Sequence, residues 1–597
     1  MAMNVSEFVW KRLHEWGLHR VFGYPGDGVG GLDVALEKAK DFMQYVQVRH
    51  EEMAAFMASA HAKFTGEVGL CYATSGPGAI HLLNGLYDAK MDHVPVVAIV
   101  GQQARTALGA HYQQEVDLQS LFKDVAADFV AQGTVPAQVR HLIDRAVRIA
   151  AARRTVTCVI LPNDLQELDY EDPPLKHGTT HTGVGYANAA KIADEGALRA
   201  AASVLNAGKK VAMLVGAGTL NATDEVIAVA ERLQAGVAKA LLGKAAVPDD
   251  LPFVTGSLGL LGTEPSWDLM QECDTLLMVG SAFPYSEFLP KPGNARGVQI
   301  DLDPAMLSLR YPMEVNVVGD SATVLKALLP MLEQKPAGES WRAGIEKNVA
   351  AWWKVLEERA MQAADPINPQ RIFWELSPRL PENCIMTGDS GSVANWYARD
   401  IKIRRGMKGS LSGGLASLGA ATPYAMAAKM AFPERTVIGF IGDGAMQMNG
   451  LNVMITVAKY WKEWPNPKFI IMVLNNQDLN QVTWEERVQL GEGKTLSTQS
   501  IPDMAYHSYA ELLGLKGIVV REPDQIGPAW DQALNADRPV VLNIYADPNV
   551  PPLPPHITLK NAKNFLTMMG SEPELGSVLK NTAKEVLASV IPGDKKS

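Results

Sequence analysis

The stretch 438-IGFIGDGAMQMNG-450 is followed, after a polar break, by 469-FIIMVLNNQDLN-480. Each opens as an apolar, β-branched run, 436-TVIGFI-441 and 469-FIIMVL-474, and each stops abruptly, one in Gly-Asp-Gly and the other in Asn-Asn. Uninterrupted apolar runs of this length read as strands buried on both faces, and so as members of a parallel sheet. In open α/β sheets, ligands collect beyond the carboxyl ends of the strands. An acid and an amide at two such ends can hold one ligand between them.

Similar runs recur along the chain and alternate with helical segments. They include 68-VGLCYAT-74, 94-VPVVAIVG-101 and 155-TVTCVILP-162, then 210-KVAMLVGAG-218, 274-DTLLMVGS-281 and 298-VQIDLD-303, then 384-CIMTGD-389 and 539-PVVLNIYAD-547. Such alternation predicts an α/β protein of doubly wound parallel sheets with helices on both faces. The polar breaks 163-NDLQELDYEDPPLKHGTTHTG-183 and 334-QKPAGESWRAG-344 divide it, the second leading into a helix near 345–364. The expected domains are 1–182, 190–335 and 366–548, with a tail at 549–597 after 548-PNVPPLPPH-556.

At 597 residues, 47% hydrophobic and 20% charged, the composition is that of a soluble globular chain too long for one core. A net charge of −10 argues against a nucleic-acid partner. Cys71, Cys158, Cys273 and Cys384 are widely spaced, with no CxxC pair, which points to a reducing cytoplasm. The start, MAMNVSEFVWKRLHEWG, reads as an amphipathic helix rather than a signal peptide, and no run has the length of a membrane span.

Asp443 offers a hard anionic oxygen between glycines that allow close backbone approach. A diphosphate with Mg²⁺ needs such a carboxylate, an amide oxygen and a carbonyl, which Asn476 and the backbone of Asp478 can supply. A helix beginning near Ala445 would present free N–H groups to phosphate. A lone Gly-Asp-Gly also fits a plain turn; the Asn-Asn some thirty residues on is what weighs against that.

This pairing resembles the diphosphate motif of thiamine-diphosphate-dependent enzymes. The resemblance implies Mg²⁺ ligands at Asp443, the side chain of Asn476 and the main-chain oxygen of Asp478, with Gly442, Gly444, Ala445 and Ser390 around the cofactor. The segment 47-QVRHEEMAAFMASAHAKFTG-66 resembles the R-H-E helix of that family, which makes Glu51, not Glu52, the acid that shares a proton with the aminopyrimidine ring. The stretch 21-VFGYPGDG-28 looks like the turn that approaches the pyrimidine through Pro25 and Gly26. Asn84, in 74-TSGPGAIHLLNGLYDAKMDHVPVVAIVGQ-102, takes a cofactor-facing place. Leu418, in 409-GSLSGGLASLGAATPYAM-426, takes that of the apolar residue that keeps the cofactor bent.

The likeness spans nearly the whole chain and is nearest the pyruvate oxidase and acetolactate synthase branch, above all bacterial pyruvate:quinone oxidoreductase. It implies FAD in the middle domain. The places are Gly216, Ala217 and Gly218 in 214-LVGAG-218, Gly259, Leu260, Leu261 and Gly262 in 255-TGSLGLLG-262, and Ser281, Ala282, Phe283, Pro284 and Tyr285 in 280-GSAFPYSEF-288, with the acids Asp301 and Asp320. A middle domain that keeps the fold and binds nothing is the alternative. The implied reaction is oxidative decarboxylation of a 2-oxo acid, pyruvate foremost, to acetate or acetyl phosphate, with electrons passing to quinone or O₂. The rival is non-redox carboligation. A homo-oligomer, a dimer of dimers, is implied, with Glu51 from one subunit facing Asp443 and Asn476 of another.

Two departures bear on the substrate. Gln113 stands where phenylalanine is usual in 112-YQQEVD-117, although Gln114 and Glu115 fit, and Asn480-Gln481 replaces glycine and a bulky apolar residue. They predict a pocket more polar than one built for a methyl group, with Gln114 and Glu485 as candidate substrate-facing catalytic residues. In the tail, 555-PHITLKNAKNF-565 resembles the start of the oxidoreductases' C-terminal extension, and Val578, Leu579, Val586, Leu587, Val590 and Ile591 form one stripe of a helix. That stripe would meet either the inner membrane, making the protein peripheral there, or, as its few basic residues favour, its own protein or a neighbouring subunit.

Overall fold

The computed structural model describes residues 3–186, 193–336, 340–556 and 559–588, within which three six-stranded sheets form, all parallel. The first comprises β1 (Arg20–Gly23), β2 (Gln44–Gln47), β3 (Gly69–Ala73), β4 (Val96–Gln102), β5 (Val130–Gln132) and β6 (Val156–Pro162). The second has β7 (Val211–Val215), β8 (Gly236–Lys239), β9 (Val254–Ser257), β10 (Thr275–Val279), β11 (Arg296–Asp301) and β12 (Val315–Val318). The third has β13 (Ile385–Gly388), β14 (Lys408–Ser410), β15 (Val437–Gly442), β16 (Phe469–Asn475), β17 (Lys516–Val520) and β18 (Val540–Tyr545). β4, β6 and β16 are buried along their whole length, as unbroken apolar runs require when helices cover both faces.

The first sheet runs β2-β1-β3-β4-β6-β5 and the third β14-β13-β15-β16-β18-β17, one topology used twice. The second runs β12-β11-β10-β7-β8-β9; read from its far edge this is the 3-2-1-4-5-6 order of dinucleotide-binding folds. Strand order reverses between β1 and β3, between β7 and β10, and between β13 and β15, and a doubly wound sheet takes ligands in the crevice at that reversal.

Six helices frame the site: α1 (Glu51–Thr65), α2 (Ser392–Asp400), α3 (Ala421–Ala431), α4 (Asn480–Glu485), α5 (Leu559–Met568) and α6 (Leu575–Ala588). Alanines at 54, 55, 58, 60 and 62 of α1 and at 421, 425, 427 and 428 of α3 let these helices approach closely, so the first and third sheets share one core. The helix expected near 345–364 spans Ser340–Ala360.

The tail packs on its own chain. Met568 of α5, Val578 of α6 and Trp484 of α4 form a small apolar cluster, and Arg487, just beyond α4, grips Glu572 through two bonds of 2.8 and 2.9 Å. Only the start of the expected apolar stripe, at Val578, is fully turned inward by α6. Val578, Asn581 and Glu585 are buried, whereas Val586 and Leu587 are exposed, and Val590 and Ile591 lie outside the described residues. Polar partners decide this: Asn581 donates to Asp547, and Glu585 accepts from Gln370 and pairs with Arg359. Among the described residues, no helix is long and apolar enough to cross a membrane.

Candidate active site

The third sheet's crevice opens between the ends of β13 and β15. Register pairing of Gly388 with Phe440 and of Gly442 with Leu474 brings Asp389–Ser390, Asp443 and Asn475–Asn476 to one edge. Asp443 is 2% exposed and accepts from three main-chain N–H groups, Gly444 at 2.9 Å, Asn476 at 2.8 Å and Gln477 at 2.5 Å. Gln477 adopts φ +55°, a left-handed conformation costly for a side-chain-bearing residue, and this turn aims two successive N–H groups at one carboxylate oxygen. Burial pushes the Asp443 carboxyl up to about 7 despite those bonds, and among the described residues no side-chain cation pairs with it. The Asp478 carboxylate is already committed, to Asn480, Thr483 and Lys494, which leaves its main-chain oxygen for a ligand.

These features fit a diphosphate held through Mg²⁺. The donor set is a carboxylate, an amide and a carbonyl, as a hard divalent ion requires. A Cβ on Gly442 would meet nothing within 4 Å, so there is open space against the backbone. Ser390 Oγ is buried and unpartnered, an orphan that a phosphate oxygen would satisfy. The helical turn begins at Asp443, two residues earlier than expected, with Ala445 in its first turn. It widens into a π-turn at Met446–Gly450, a form common at functional sites.

Leu418 lies in a segment clamped from both sides. Asp389, wholly buried, accepts from the N–H groups of Gly419 and Ala421, both at 2.8 Å. From the first domain, Asp92 accepts from those of Gly413 at 2.9 Å and Gly414 at 2.6 Å while Lys63 pairs with it at 2.6 Å. Gly419 has φ +88°, and a Cβ there would stand 2.8 Å from that of Asn449. Neither Asp389 nor Asp92 carries a motif that would have singled it out.

In the first sheet's crevice, the turn after β1 faces that after β3. A Cβ on Gly26 would strike Thr74 at 2.6 Å, and the Gly28 N–H donates to Thr74 Oγ1 at 3.0 Å, with Pro25 exposed beside them. Glu51 is the first residue of α1 and 8% exposed. Its Oε2 bonds His81 Nδ1 at 2.9 Å, and the His81 ring stacks on His50 at 4.4 Å. Its Oε1 lies 3.1 Å from where a Cβ on Gly78 would be, so glycine keeps that oxygen clear. Glu52 is a tether instead, accepting from Asn84 at 2.6 Å and from Asn449 at 3.2 Å. Asn84 also donates to Ser417 Oγ, next to Leu418, at 3.0 Å. His81 was not anticipated as a site residue. Gln114 has φ +60° and a buried, unpartnered Oε1, and with Asp27, Gln103, Tyr112 and Gln113 it lines a cavity of about 290 Å³.

In the second sheet, the Gly216–Gly218 turn after β7 packs on Gly280–Ser281 after β10. A Cβ on Gly216 would stand 2.4 Å from the Gly280 oxygen, and one on Gly218 2.7 Å from Gly280 Cα. Gly259, at φ +108°, lies against Phe283, while Leu260 and Tyr285 are exposed nearby. Glycine-lined turns meeting at the strand reversal of a dinucleotide-type sheet fit FAD. Burial raises the Asp301 carboxyl, whereas Asp320 caps the helix Ser321–Leu328. Arg399 of α2, wholly buried, joins this region to the third domain by donating to the Gly262 oxygen at 3.0 Å and the Leu260 oxygen at 2.8 Å.

The two residues of the Asn480-Gln481 departure behave differently. Asn480 is buried and ties Asp478 to the Pro548 oxygen, a structural staple rather than a pocket-facing group. Gln481 accepts from Asn395 of α2 at 2.9 Å and donates to the exposed Glu485 at 3.0 Å.

Comparison with known proteins agrees with this layout. Residues 3–121 match the thiamine pyrophosphate enzyme N-terminal TPP binding domain, 198–328 the central domain and 389–544 the C-terminal TPP binding domain. The YdaP protein of Bacillus subtilis (strain 168) is 34% identical over 93% of this chain and 94% of its own. The pyruvate oxidase of Lactiplantibacillus plantarum is 28% identical over 89% and 88%. The acetolactate synthase isozyme 2 large subunit of Escherichia coli (strain K12) is 31% identical over 93% and 98%. With its N-terminal, central and C-terminal domains matched in order, the chain belongs to the thiamine pyrophosphate enzyme family.

Proposed function

We propose that the protein uses thiamine diphosphate, Mg²⁺ and FAD to decarboxylate a 2-oxo acid oxidatively, with pyruvate as the reference substrate and quinone or O₂ as electron acceptor. The observation that carries this reading is the buried Asp443 carboxylate, set among main-chain N–H groups beside the orphaned Ser390 hydroxyl. Bound thiamine diphosphate supplies the electron sink for loss of CO₂, and bound FAD the two-electron acceptor.

The chain's own residues then have distinct tasks. Asp443, Asn476 and the Asp478 carbonyl would hold Mg²⁺, and Ser390 with the N–H groups after Gly442 would hold the diphosphate. Leu418, fixed by the Asp389 and Asp92 clamps, would set an apolar side chain against the bound cofactor. Glu51 Oε1, clear of other partners, would share a proton with the aminopyrimidine ring of the bound cofactor, while His81 holds Oε2. Gln114 and Glu485 face the substrate, and a second subunit completes each centre.

Carboligation is a second reading, supported by acetolactate synthase relatives as similar as the pyruvate oxidase. Cofactor analysis of the purified protein, followed by anaerobic addition of 2-oxo acids, separates the two. A flavin that bleaches favours oxidation; an unbleached or absent flavin with acetoin-type products favours ligation.

A further inference from the structure

β13, β15 and β16 lie side by side in that order. Asn395 is in α2, which leaves β13, and Gln481 is in α4, which leaves β16. Their 2.9 Å hydrogen bond therefore reaches across the end of β15, where Asp443 sits. It bridges the crevice that the proposed cofactor enters. The relay continues outward, since the Gln481 amide nitrogen donates to Glu485 Oε1 at 3.0 Å and Glu485 is exposed.

The direction of these bonds fixes what the relay offers a ligand. Asn395 is 2% exposed, so one end of the chain is anchored in the interior. Gln481 has spent an amide hydrogen on Glu485 and one lone pair on Asn395. What remains is the second lone pair of Gln481 Oε1, its second amide hydrogen and the oxygens of Glu485, so that acceptors outnumber the single donor. The rim carries a negative charge. A methyl group would leave these acceptors unfilled, a carboxylate would be repelled, and a hydrogen-bond donor would satisfy them.

We propose that the Asn395–Gln481–Glu485 relay selects a 2-oxo acid with a hydrogen-bond donor, such as a hydroxyl, on the carbon next to the carbonyl. This rests on the reading of the site as a thiamine-diphosphate centre for 2-oxo acids. A bond to a charged acceptor discriminates by about ten- to a hundredfold.

The experiment uses the full chain reconstituted with thiamine diphosphate, Mg²⁺ and FAD, with cofactor binding read separately by near-UV circular dichroism. CO₂ release is measured with 3-hydroxypyruvate, pyruvate and oxaloacetate. The expected kcat/KM favours 3-hydroxypyruvate over pyruvate by about tenfold or more, with oxaloacetate poorest. Gln481→Leu should bring the first two to within about threefold, mainly through a higher KM for 3-hydroxypyruvate, while the dichroism signal of the bound cofactor persists. Glu485→Gln, at the exposed end, should lower the preference severalfold with little effect on folding. A wild-type preference for pyruvate, or a ratio unchanged in both variants, overturns the proposal. Bound cofactor with no CO₂ from any 2-oxo acid overturns the underlying reading and the proposal with it.

Discussion

The Glu572→Ala variant tests whether the tail is built into the active-site wall. Glu572 accepts from Arg487 at 2.8 and 2.9 Å, from the Lys494 N–H at 3.2 Å and from the Glu574 N–H at 3.1 Å. Removing it strands a guanidinium with no exposed surface, left with Asn549 at 3.1 Å and the face of Trp484 at 4.7 Å. Breaking one side of a buried pair costs about 3–5 kcal/mol. The third sheet has its own core, so the loss falls on the tail, whose opening should become more frequent by roughly two to three orders of magnitude. Hydrogen–deuterium exchange over α5 and α6 reads this directly, with Glu572→Gln as the milder comparison. KM for the oxo acid should rise as well, because Arg487 follows the helix that carries Gln481 and Glu485. Burial alone would raise the Glu572 carboxyl, but the Arg487 bonds outweigh it and hold it below its ordinary value. The tail's contribution is therefore present above the unfolded glutamate pKa of about 4.3 and lost as pH falls through the lower folded value. Exchange in Glu572→Ala that matches the wild type would refute this account of the latch.

Three further outcomes are expected. Glu51→Gln should reduce turnover by about 10²–10⁴-fold with the cofactor still bound; undiminished turnover would remove Glu51 from its role. Asp443→Ala should abolish Mg²⁺-dependent retention of thiamine diphosphate in titration calorimetry, and wild-type affinity would show the metal lies elsewhere. Asp389→Asn should leave the Gly419 or Ala421 N–H facing a donor and cost about 1–3 kcal/mol in urea unfolding. Burial pushes the Asp389 carboxyl up to about 7, so its share of stability is full below the unfolded aspartate pKa of about 3.9 and is lost as pH rises through about 7. The variant should lack that decline.

Much of this was legible in the sequence, for identifiable reasons. Buried strands announce themselves as unbroken apolar runs, and an acid between glycines at the end of one marks a ligand once Asn-Asn ends a second such run about thirty residues on. Strand ends could be found along the chain, but the strand order that makes Gly26 face Thr74, or Gly216 face Gly280, depends on contacts between distant segments. Asp389, Asp92, His81 and Asn395 escaped notice because each acts through a partner between 29 and 322 residues away, such as the Gly413 N–H for Asp92 or the Gln481 amide for Asn395. Asn480 looked like a pocket residue because it stands beside Gln481, and only its bond to the Pro548 oxygen gives it a structural task. The stripe on α6 misled for a related reason. Amphipathic periodicity presumes that apolar side chains are the ones buried, and there an asparagine and a glutamate take that place because Asp547, Gln370 and Arg359 await them.

The Arg399 contacts carry a mechanical consequence. A buried guanidinium gripping two main-chain oxygens of the middle domain must give up both bonds if the two domains part. The rod to which it belongs also holds, one turn back, the amide that meets Gln481. This helix thus joins the middle and third domains alongside the Lys244 bonds to the Ala398 and Ile401 oxygens, so that a pull on the glycine loop at one end reaches the Gln481 amide at the other.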